Sequence, residues 1–462
     1  MNMSRLSLVL LAAGCLHGTA MAQNNDQRIQ ALEKQVQQLL QELQSIKAGT
    51  AKAPAPAAAS GELAQEVKEL RQQVELNHKE AVVLGDIPGS MRLPGSDTSF
   101  KVYGFAELQA WRDSKGTTAS DFSSATAYQP LDKSADARRS GNFKMGARTS
   151  RLGVEVSTPT HLGALGAKVE FDFATEEGTT LDSSSAQASR QAYTNSYRPR
   201  LRHAYASLGG WTFGQTWSTF MDLDTLPETL DFNGLPAAPF VRQPMLRYAH
   251  PMKDVGTLSV ALENPVSYVT DGQTALKDNF DKRPDLIVRF DKAHDWGQWN
   301  ARVLSTEYRL NDGEGLNLSK QGWGLAVGGM LKTVGDDFLT LQYTTGKGLG
   351  RYNISFAEAA VRDGNRILLE EGDGVVLGYQ RKFSAEWRSN IGYAWQKNKD
   401  NALRMAVGDG YNRQLQQLHL NAIYTPFKNF DLGIEYLWGQ RETFAGDKGT
   451  LSRLMGSAKY AF

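Results

Sequence analysis

The amino-acid sequence predicts an all-β transmembrane barrel of about sixteen antiparallel strands, preceded by an α-helical coiled coil. Three observations support this fold class. From residue 99 onward, apolar and polar side chains alternate with a period of two in one segment after another. The connections between these segments are short and long in turn, which is typical of barrels that cross a membrane. Before residue 80 the apolar period is 3.5, which indicates helices that pack against each other.

The composition of the 462-residue chain argues against several other classes of protein. Hydrophobic residues make up 41% of the chain, and beyond the N-terminus no apolar run approaches the length of a membrane-spanning helix. The 51 Lys and Arg residues nearly balance the 50 Asp and Glu residues, so bulk charge offers no footprint for nucleic acid. The only cysteine, Cys15, lies in the leader, so we expect neither a disulfide nor a thiolate metal site in the mature chain.

Residues 1–22 are predicted to be a signal peptide. Arg5 gives a positive start, Leu6–Leu16 form a short apolar core, and Ala20–Ala22 offer a small-x-small cleavage site. A lipoprotein signal cut before Cys15 is the alternative, although Ala12 stands where such signals favour leucine. Either interpretation sends the chain out of the cytoplasm.

Residues 23–80 are predicted to form a coiled coil, with an Ala/Pro linker at 48–61 that acts as a semi-extended spacer. The first apolar seam has spacings of 3, 4, 3, 4 and 3 and consists of Ile29, Leu32, Val36, Leu39, Leu43 and Ile46. A second, weaker seam consists of Leu63, Val67, Leu70 and Val74. So narrow a stripe implies self-association, but it does not fix the number of helices. A solitary amphipathic helix on a surface is the alternative.

After a connecting segment at 81–98, residues 99–462 are predicted to form the barrel. In the last segment Leu454, Ala458, Tyr460 and Phe462 share one face, opposite Arg453 and Lys459. A soluble sandwich also alternates, but here Trp and Tyr lie at segment ends, as an aromatic girdle requires. The long connections include residues 114–140, 176–197, 218–243 and 347–371. An even strand count places both chain ends on the short-turn side of the barrel.

Three stretches at the barrel entry resemble the DcaP-like family of trimeric porins: Gly85–Ser90, Leu93–Thr98 and Lys101–Phe105. The resemblance implies a homotrimer in the outer membrane of a Gram-negative bacterium, with the coiled coil in the periplasm. It also implies uptake of dicarboxylates and other small anions. Lipid and lipopolysaccharide would surround such a barrel, and contact of the coiled coil with peptidoglycan is an open alternative.

A looser resemblance to general diffusion porins suggests site residues. Arg151–Val154 has the form of their second-strand motif, and Arg202–Leu208 that of their fourth. In those porins both arginines face acids on an inward-folded third loop, which corresponds here to residues 218–243. Strand parity agrees and adds Arg247. The remaining candidates are two arginines that could sit at a rim and four loop acids: Arg200, Arg242, Asp222, Asp224, Glu228 and Asp231.

Which of these acids reaches the constriction stays open. Pro227-Glu228 resembles the Pro-Glu of porin third loops, but Thr229 stands where those loops have glycine. Arginine suits a carboxylate because its planar fork binds both oxygens and stays charged. We therefore expect passive diffusion of small hydrophilic, mainly anionic solutes through the barrel.

Two other functions compete with this one. A phosphate-selective or general porin is the first, although Lys168 shares its face with Glu170 and Asp172 rather than with a basic ladder. A structural tether between outer membrane and cell wall is the second. We expect no enzyme and no cofactor, since the sequence lacks the familiar catalytic motifs.

The scattered histidines and loop acids are expected to be structural. By parity His203 points outward, and His419 faces the lumen beside Gln417 and Asn421. A calcium site could be suggested by the spaced acids Asp281, Asp285 and Asp291, but solvated loop acids explain them equally.

Overall fold

The computed structural model describes residues 84–116, 126–174, 197–353 and 359–462, together with eight isolated helical positions before residue 73. The predicted signal peptide, the apolar seam residues of the coiled coil and the linker at 48–61 lie outside the described residues. Among the residues that the structure describes, no helix has the length and apolar character needed to cross a membrane.

The chain forms two compact units, of which the smaller comprises residues up to 103 together with 153–168 and 207–209. In its described part, the short strand β1 (Met91–Arg92) pairs antiparallel with Ser99 and Phe100. The Lys101 ammonium donates to the Pro88 carbonyl over 2.8 Å. These contacts hold the entry segment in an ordered turn.

Within the described residues, the strands form a closed antiparallel barrel of sixteen strands, which confirms the predicted barrel. β3 (Asn142–Gly146) and β4 (Arg151–Thr160) together supply the second of the sixteen strands, since both pair with β2 (Ser99–Asp113). The barrel strands are β2 (Ser99–Asp113), β3 (Asn142–Gly146), β4 (Arg151–Thr160), β5 (Gly163–Asp172), β6 (Arg200–Leu208), β7 (Trp211–Trp217), β8 (Arg242–Met252), β9 (Gly256–Glu263), β11 (Asp285–His294), β12 (Gly297–Asn311), β13 (Asn317–Lys332), β14 (Phe338–Lys347), β17 (Glu371–Lys382), β18 (Trp387–Asn398), β19 (Asn412–Phe427), β20 (Phe430–Thr443) and β21 (Lys448–Ala461).

The barrel closes because β2 pairs with β3 on one side and with β21 on the other. Each strand from β11 through β14 and from β17 through β21 pairs with its sequence neighbour, as short turns favour. The final residue joins the ladder, since the Phe462 amide donates to the Gly104 carbonyl over 3.0 Å and the reverse bond is 3.1 Å. Closure leaves no unpaired sheet edge to face lipid.

The alternation of side chains gives the barrel an apolar outside and a polar inside. In β5, Val169 and Phe171 are 42% and 37% exposed, whereas Glu170 and Asp172 between and beside them are 3% and 0% exposed. The apolar side chains therefore point out of the barrel and the acids point into it, as a membrane barrel with an aqueous interior requires.

Inside the larger unit, the connection between β7 and β8 folds into the barrel. It runs over residues 218–241, because Arg242 and Gln243 already belong to β8. Phe220 and Tyr352 pack with inward-facing apolar residues of β9 to β13, among them Ile287 and Leu304, which are fully buried. This wall is apolar on its inner face because connections cover it, so water does not reach it.

Two other long connections build a small sheet of their own. β10 (Val269–Thr270) pairs in parallel with β15 (Ala360–Asp363), which pairs antiparallel with β16 (Arg366–Leu369). A short helix, α1 (Ala402–Val407), begins at Asn401, whose side chain accepts two backbone N–H groups of the first turn. Buried residues of the small sheet pack against Tyr308 and Leu310 of β12.

Candidate functional site

A cavity of about 330 Å³ lies in the larger unit between the connection 218–241 and the wall formed by β2, β4, β6 and β21. The wall side of the cavity presents charged and polar groups, whereas the connection presents mainly apolar ones. The wall contributes Glu107, Gln109, Thr149, Arg151, Arg202 and Lys459, and the connection contributes Leu226, Pro227, Leu230, Phe232 and Leu235 among others. The cavity is therefore charged on one side and apolar on the other.

Three arginines on this wall share two carboxylates of β5. Arg202 places Nε 2.6 Å from Glu170 Oε1 and Nη1 2.6 Å from Asp172 Oδ2. Arg200 donates from Nε and Nη2 to the two oxygens of the Asp172 carboxylate, over 2.9 and 2.8 Å. Arg151 Nε lies 3.4 Å from Glu170 Oε1. These five side chains, which we call the basic wall, carry three positive and two negative charges.

The three arginines of the basic wall differ in exposure. The Arg202 side chain is 4% exposed, so it lies beneath the other two. The side chains of Arg151 and Arg200 are 26% and 32% exposed, and Arg151 lines the cavity together with Arg202. The guanidinium groups of Arg151 and Arg200 are therefore the more accessible ones of the basic wall.

Aromatic rings hold the guanidinium groups of the basic wall in place. The Arg151 guanidinium lies 5.0 Å from the centre of the Phe105 ring, and those of Arg200 and Arg202 lie 5.3 and 6.0 Å from the centre of the Phe232 ring. A cation over an aromatic face is attracted by the ring quadrupole and loses freedom of movement. These contacts keep the arginines at the cavity.

The two arginines of β8 lie in different surroundings. Arg242 stacks over Trp217 at 4.1 Å and has Arg202, Arg200 and Arg151 among its electrostatic neighbours. Arg247 instead has Glu263 and Arg289 as its closest charged neighbours. The structure thus brings Arg151, Arg200, Arg202 and Arg242 together, and it places Arg247 in a separate set of charges.

Asp222 lies at the start of the connection 218–241 and is anchored to β11 and β12. Its carboxylate accepts from Asn300 Nδ2 over 2.5 Å and lies 3.4 Å from Arg289 Nη2. Burial alone raises the pKa of this carboxyl, but the charges of Arg289 and Arg302 and its hydrogen bonds outweigh burial and hold the pKa below its usual value. Asp222 is therefore a buried anchor of the connection.

Asp224 and Glu228 meet the barrel in different ways. Asp224 is exposed and accepts from Gln298 Nε2 over 2.8 Å. Glu228 forms a two-pronged ion pair with Arg388 of β18, with Nε to Oε2 and Nη2 to Oε1 both 2.8 Å. Such a fork holds the connection in both position and angle.

Asp231 is held by residues of β20 and β21. The amides of Leu230 and Asp231 donate to the two oxygens of Glu435 over 2.8 and 3.1 Å, and Arg453 Nη1 lies 3.4 Å from the Asp231 carboxylate. His419 Nδ1 lies 2.9 Å from Glu435 Oε1. A buried carboxylate on β20 thus fixes the middle of the connection through two backbone groups.

The parity prediction for His203 is wrong. Its Nε2 lies 3.8 Å from Glu170 Oε1, and its neighbour Arg202 contacts the same oxygen. Both side chains therefore reach the same inward-facing carboxylate. His203 is buried, with Nδ1 3.0 Å from Thr216 Oγ1.

The three acids considered as a calcium site have other partners. Asp281 accepts from the Ser267 amide over 2.6 Å, Asp285 from the Tyr352 hydroxyl over 2.7 Å, and Asp291 pairs with Arg289 at 2.6 Å. In the described parts of the chain, no group of three or more His, Cys, Asp or Glu side chains could hold a metal ion.

Sequence reasoning did not assign the residues that complete the site. Glu170 and Asp172 have the right parity in β5, but nothing in the pattern shows which arginines they bind. Arg388 and Glu435 also lie on the polar faces of their strands, but their role depends on where the connection 218–241 crosses the barrel. Strand alternation predicts which face of the sheet such residues occupy, but their partners are visible only in the three-dimensional structure.

A closed barrel with an apolar outside, a polar inside and an inward-folded connection beside a charged cavity defines an outer-membrane channel of the porin class. Comparison with known proteins agrees. A model of the DcaP outer membrane protein family matches residues 64–462, so the chain belongs to that family. The crystal structure of the outer membrane channel DcaP of Acinetobacter baumannii is similar, with 28% identity and a TM-score of 0.69, over 82% of this chain and 100% of that one.

A more distant likeness shows the fold alone. The structure of Salmonella typhi OmpF in complex with daunomycin is 12% identical, with a TM-score of 0.50, over 79% of this chain and 98% of that one. Among curated proteins, none matches this sequence.

Proposed function

We propose that this channel passes small hydrophilic anions, dicarboxylates among them, by passive diffusion along the basic wall. The observation that carries the proposal is the cluster of three arginines and two carboxylates that the described residues form beside the cavity. Charge at the narrowest point sets the selectivity of a channel, whatever the net charge of the chain. The opposite side of the cavity is apolar, so an anion that enters finds its partners on one wall and can leave again.

A dicarboxylate could use two forks at once. Arg151 and Arg200 are the accessible guanidinium groups, and each can bind one carboxylate end. Because both already share carboxylates of β5, binding of a solute is expected to be weak, which suits a channel. Loss of one charged contact would cost roughly 1.5–3 kcal/mol, about one to two decades in affinity.

Single-channel recording of the purified protein in planar bilayers tests this proposal. We expect a reversal potential that shows anion preference in a salt gradient, and transient block by a four-carbon dicarboxylate. A monocarboxylate of similar size should block more weakly, since it can engage one fork. Phosphate that blocks more strongly than the dicarboxylate would favour the phosphate-selective alternative, and a protein that conducts nothing would favour the tether.

We further propose that three such barrels associate in the outer membrane among lipid and lipopolysaccharide, with residues 23–80 as a periplasmic coiled coil. The seam spacing of that region supports self-association.

Deletion of residues 23–80 should leave a folded, conducting barrel, because the backbone pairing closes without them. Heat-modifiable migration on gels measures whether the truncated barrel is folded, and planar-bilayer recording measures whether it conducts. A truncated chain that fails to fold would refute the independence of the two parts, and loss of pull-down by purified peptidoglycan would assign cell-wall contact to the coiled coil.

A further inference from the structure

Two glycines form a hollow in the inner surface of the barrel, directly opposite each other. Gly378 of β17 and Gly392 of β18 are a cross-strand pair, and both face inward and are buried. The ring of Pro227, in the connection 218–241, lies over them. A Cβ atom on Gly392 would lie 2.8 Å from Pro227 Cγ and 2.9 Å from Leu235 Cδ1, well inside the 3.4 Å at which ordinary contact begins. We call this hollow the glycine seat.

The contacts around the glycine seat press the connection against the barrel. Leu235, Ala237 and Ala238 pack with Val376 and Ala394, which flank the two glycines on β17 and β18. One residue beyond Pro227, the Glu228 carboxylate forms its two-pronged pair with Arg388. A third inward glycine, Gly433, repeats the arrangement, since a Cβ there would lie 2.8 Å from Leu230 Cδ1.

The residues that enter the glycine seat also line the cavity of the basic wall. Pro227, Leu230 and Leu235 form part of the apolar side of that cavity. The depth to which they sink into the barrel wall therefore decides how much room remains in front of the arginines. Glycine inside a strand weakens the strand and usually marks a close approach of another group.

We propose that the glycine seat of Gly378 and Gly392 is the positioning element that sets the width of the permeation passage, and so the size of anion that passes. The two glycines do not touch the solute. They act through Pro227, whose rigid ring transmits the depth of the hollow to the whole connection. The inference rests on the proposed function, in which the cavity beside the connection is the path of the solute.

The test compares single-channel conductance of the full-length protein with that of Gly392→Ala. The added methyl group should lift the connection into the cavity, so conductance should fall. Permeability should fall more steeply for a large carboxylate than for chloride. Gly456→Ala is the matched control, because it makes the same change in a barrel strand but its Cβ would lie 3.7 Å from the nearest atom, the Gly433 carbonyl oxygen. Heat-modifiable migration establishes that each variant is folded.

A second substitution separates the seat from simple damage to the strand. Pro227→Ala alone should raise conductance and current noise, since the hollow loses its occupant. Combined with Gly392→Ala it should restore conductance towards that of the unmodified protein, because the atom that the new methyl meets is gone and Leu235 Cδ1, at the end of a flexible side chain, can turn aside. Such compensation is the signature of coupled residues.

Three results would overturn the proposal. Gly392→Ala could conduct as the unmodified protein does, its lower conductance could persist in the double variant, or Pro227→Ala could leave conductance and noise unchanged. If Gly392→Ala does not fold, Pro227→Ala alone decides. An unmodified protein that does not conduct, or that prefers cations, would count against the proposed function instead, so the two failures are distinguishable.

Discussion

On the β4–β6 side of the lumen three arginines share two carboxylates, whereas the acids of the connection 218–241 meet arginines of the barrel. Glu228 pairs with Arg388, and Asp231 with Arg453. Arg388 also contacts Asp431, and Arg453 also contacts Asp113, so each of these arginines lies between two acids and the contacts mainly fix geometry. In the basic wall the arginines outnumber the carboxylates of the cluster. The comparison indicates that the loop acids anchor the connection, and on the proposed function it assigns selectivity to the basic wall.

The largest effect is expected when the excess charge is removed. In the double variant Arg151→Gln, Arg200→Gln, the carboxylates Glu170 and Asp172 would retain Arg202 as their partner in the cluster, so its net charge changes from positive to negative. The reversal potential should move from anion towards cation preference. The Debye length is about 10 Å at 0.1 M salt and about 3 Å at 1 M, so the shift should be large in dilute and small in concentrated salt.

Arg366→Gln is the matched control for this double variant. Its side chain is 67% exposed and pairs with Asp363 in the small sheet, away from the cavity. If the double variant keeps the selectivity of the unmodified protein at low salt, the basic wall does not set the field in the cavity. The proposed difference between the basic wall and the acids of the connection would then be wrong.

A smaller, different effect is expected from Glu228→Gln. The substitution weakens an ion pair in the middle of the connection, worth on the order of 1 kcal/mol because both partners are partly exposed. Current noise should rise while selectivity changes little, since Asp431 stays 3.1 Å from Arg388. Asp224→Asn, which changes an exposed acid, is the control and should raise the current noise less than Glu228→Gln does. A clear shift towards anions without added noise would instead make Glu228 a field-setting acid, as the sequence first suggests.

The smallest effect is expected from Arg247→Gln. Because the closest charged neighbours of Arg247 are Glu263 and Arg289 rather than the basic wall, its loss should shift the reversal potential less than the loss of Arg151 alone. The reversal potentials of the two single variants, Arg247→Gln and Arg151→Gln, measured in the same salt gradient, test this expectation. An equal or larger shift for Arg247→Gln would extend the basic wall to β8.

The sequence predicts the barrel well and the site in part, for a physical reason. Alternation depends on burial of each strand face, which acts residue by residue, so the inward direction of Arg151 and Glu170 is visible in the pattern. The partners of these residues depend on strand register and on the path of the connection, which involve long-range contacts. His203 shows the limit even for direction, since parity predicts an outward side chain and its Nε2 lies 3.8 Å from the inward-facing Glu170 carboxylate. The glycine seat is invisible in the pattern, because glycine fits either face.

The closure of the barrel constrains the order of folding as well as the final structure. β2 and β21 lie side by side, and the Ser457 hydroxyl donates to the Glu107 carboxylate although the two residues are 350 positions apart in the sequence. Two strands that lie far apart in the sequence are thus direct neighbours in the sheet. This seam cannot form until both strands are present, and contacts of such high sequence separation form slowly in folding. Until it forms, β2 and β21 each lack this partner, and an unpaired strand edge is prone to pair with another chain.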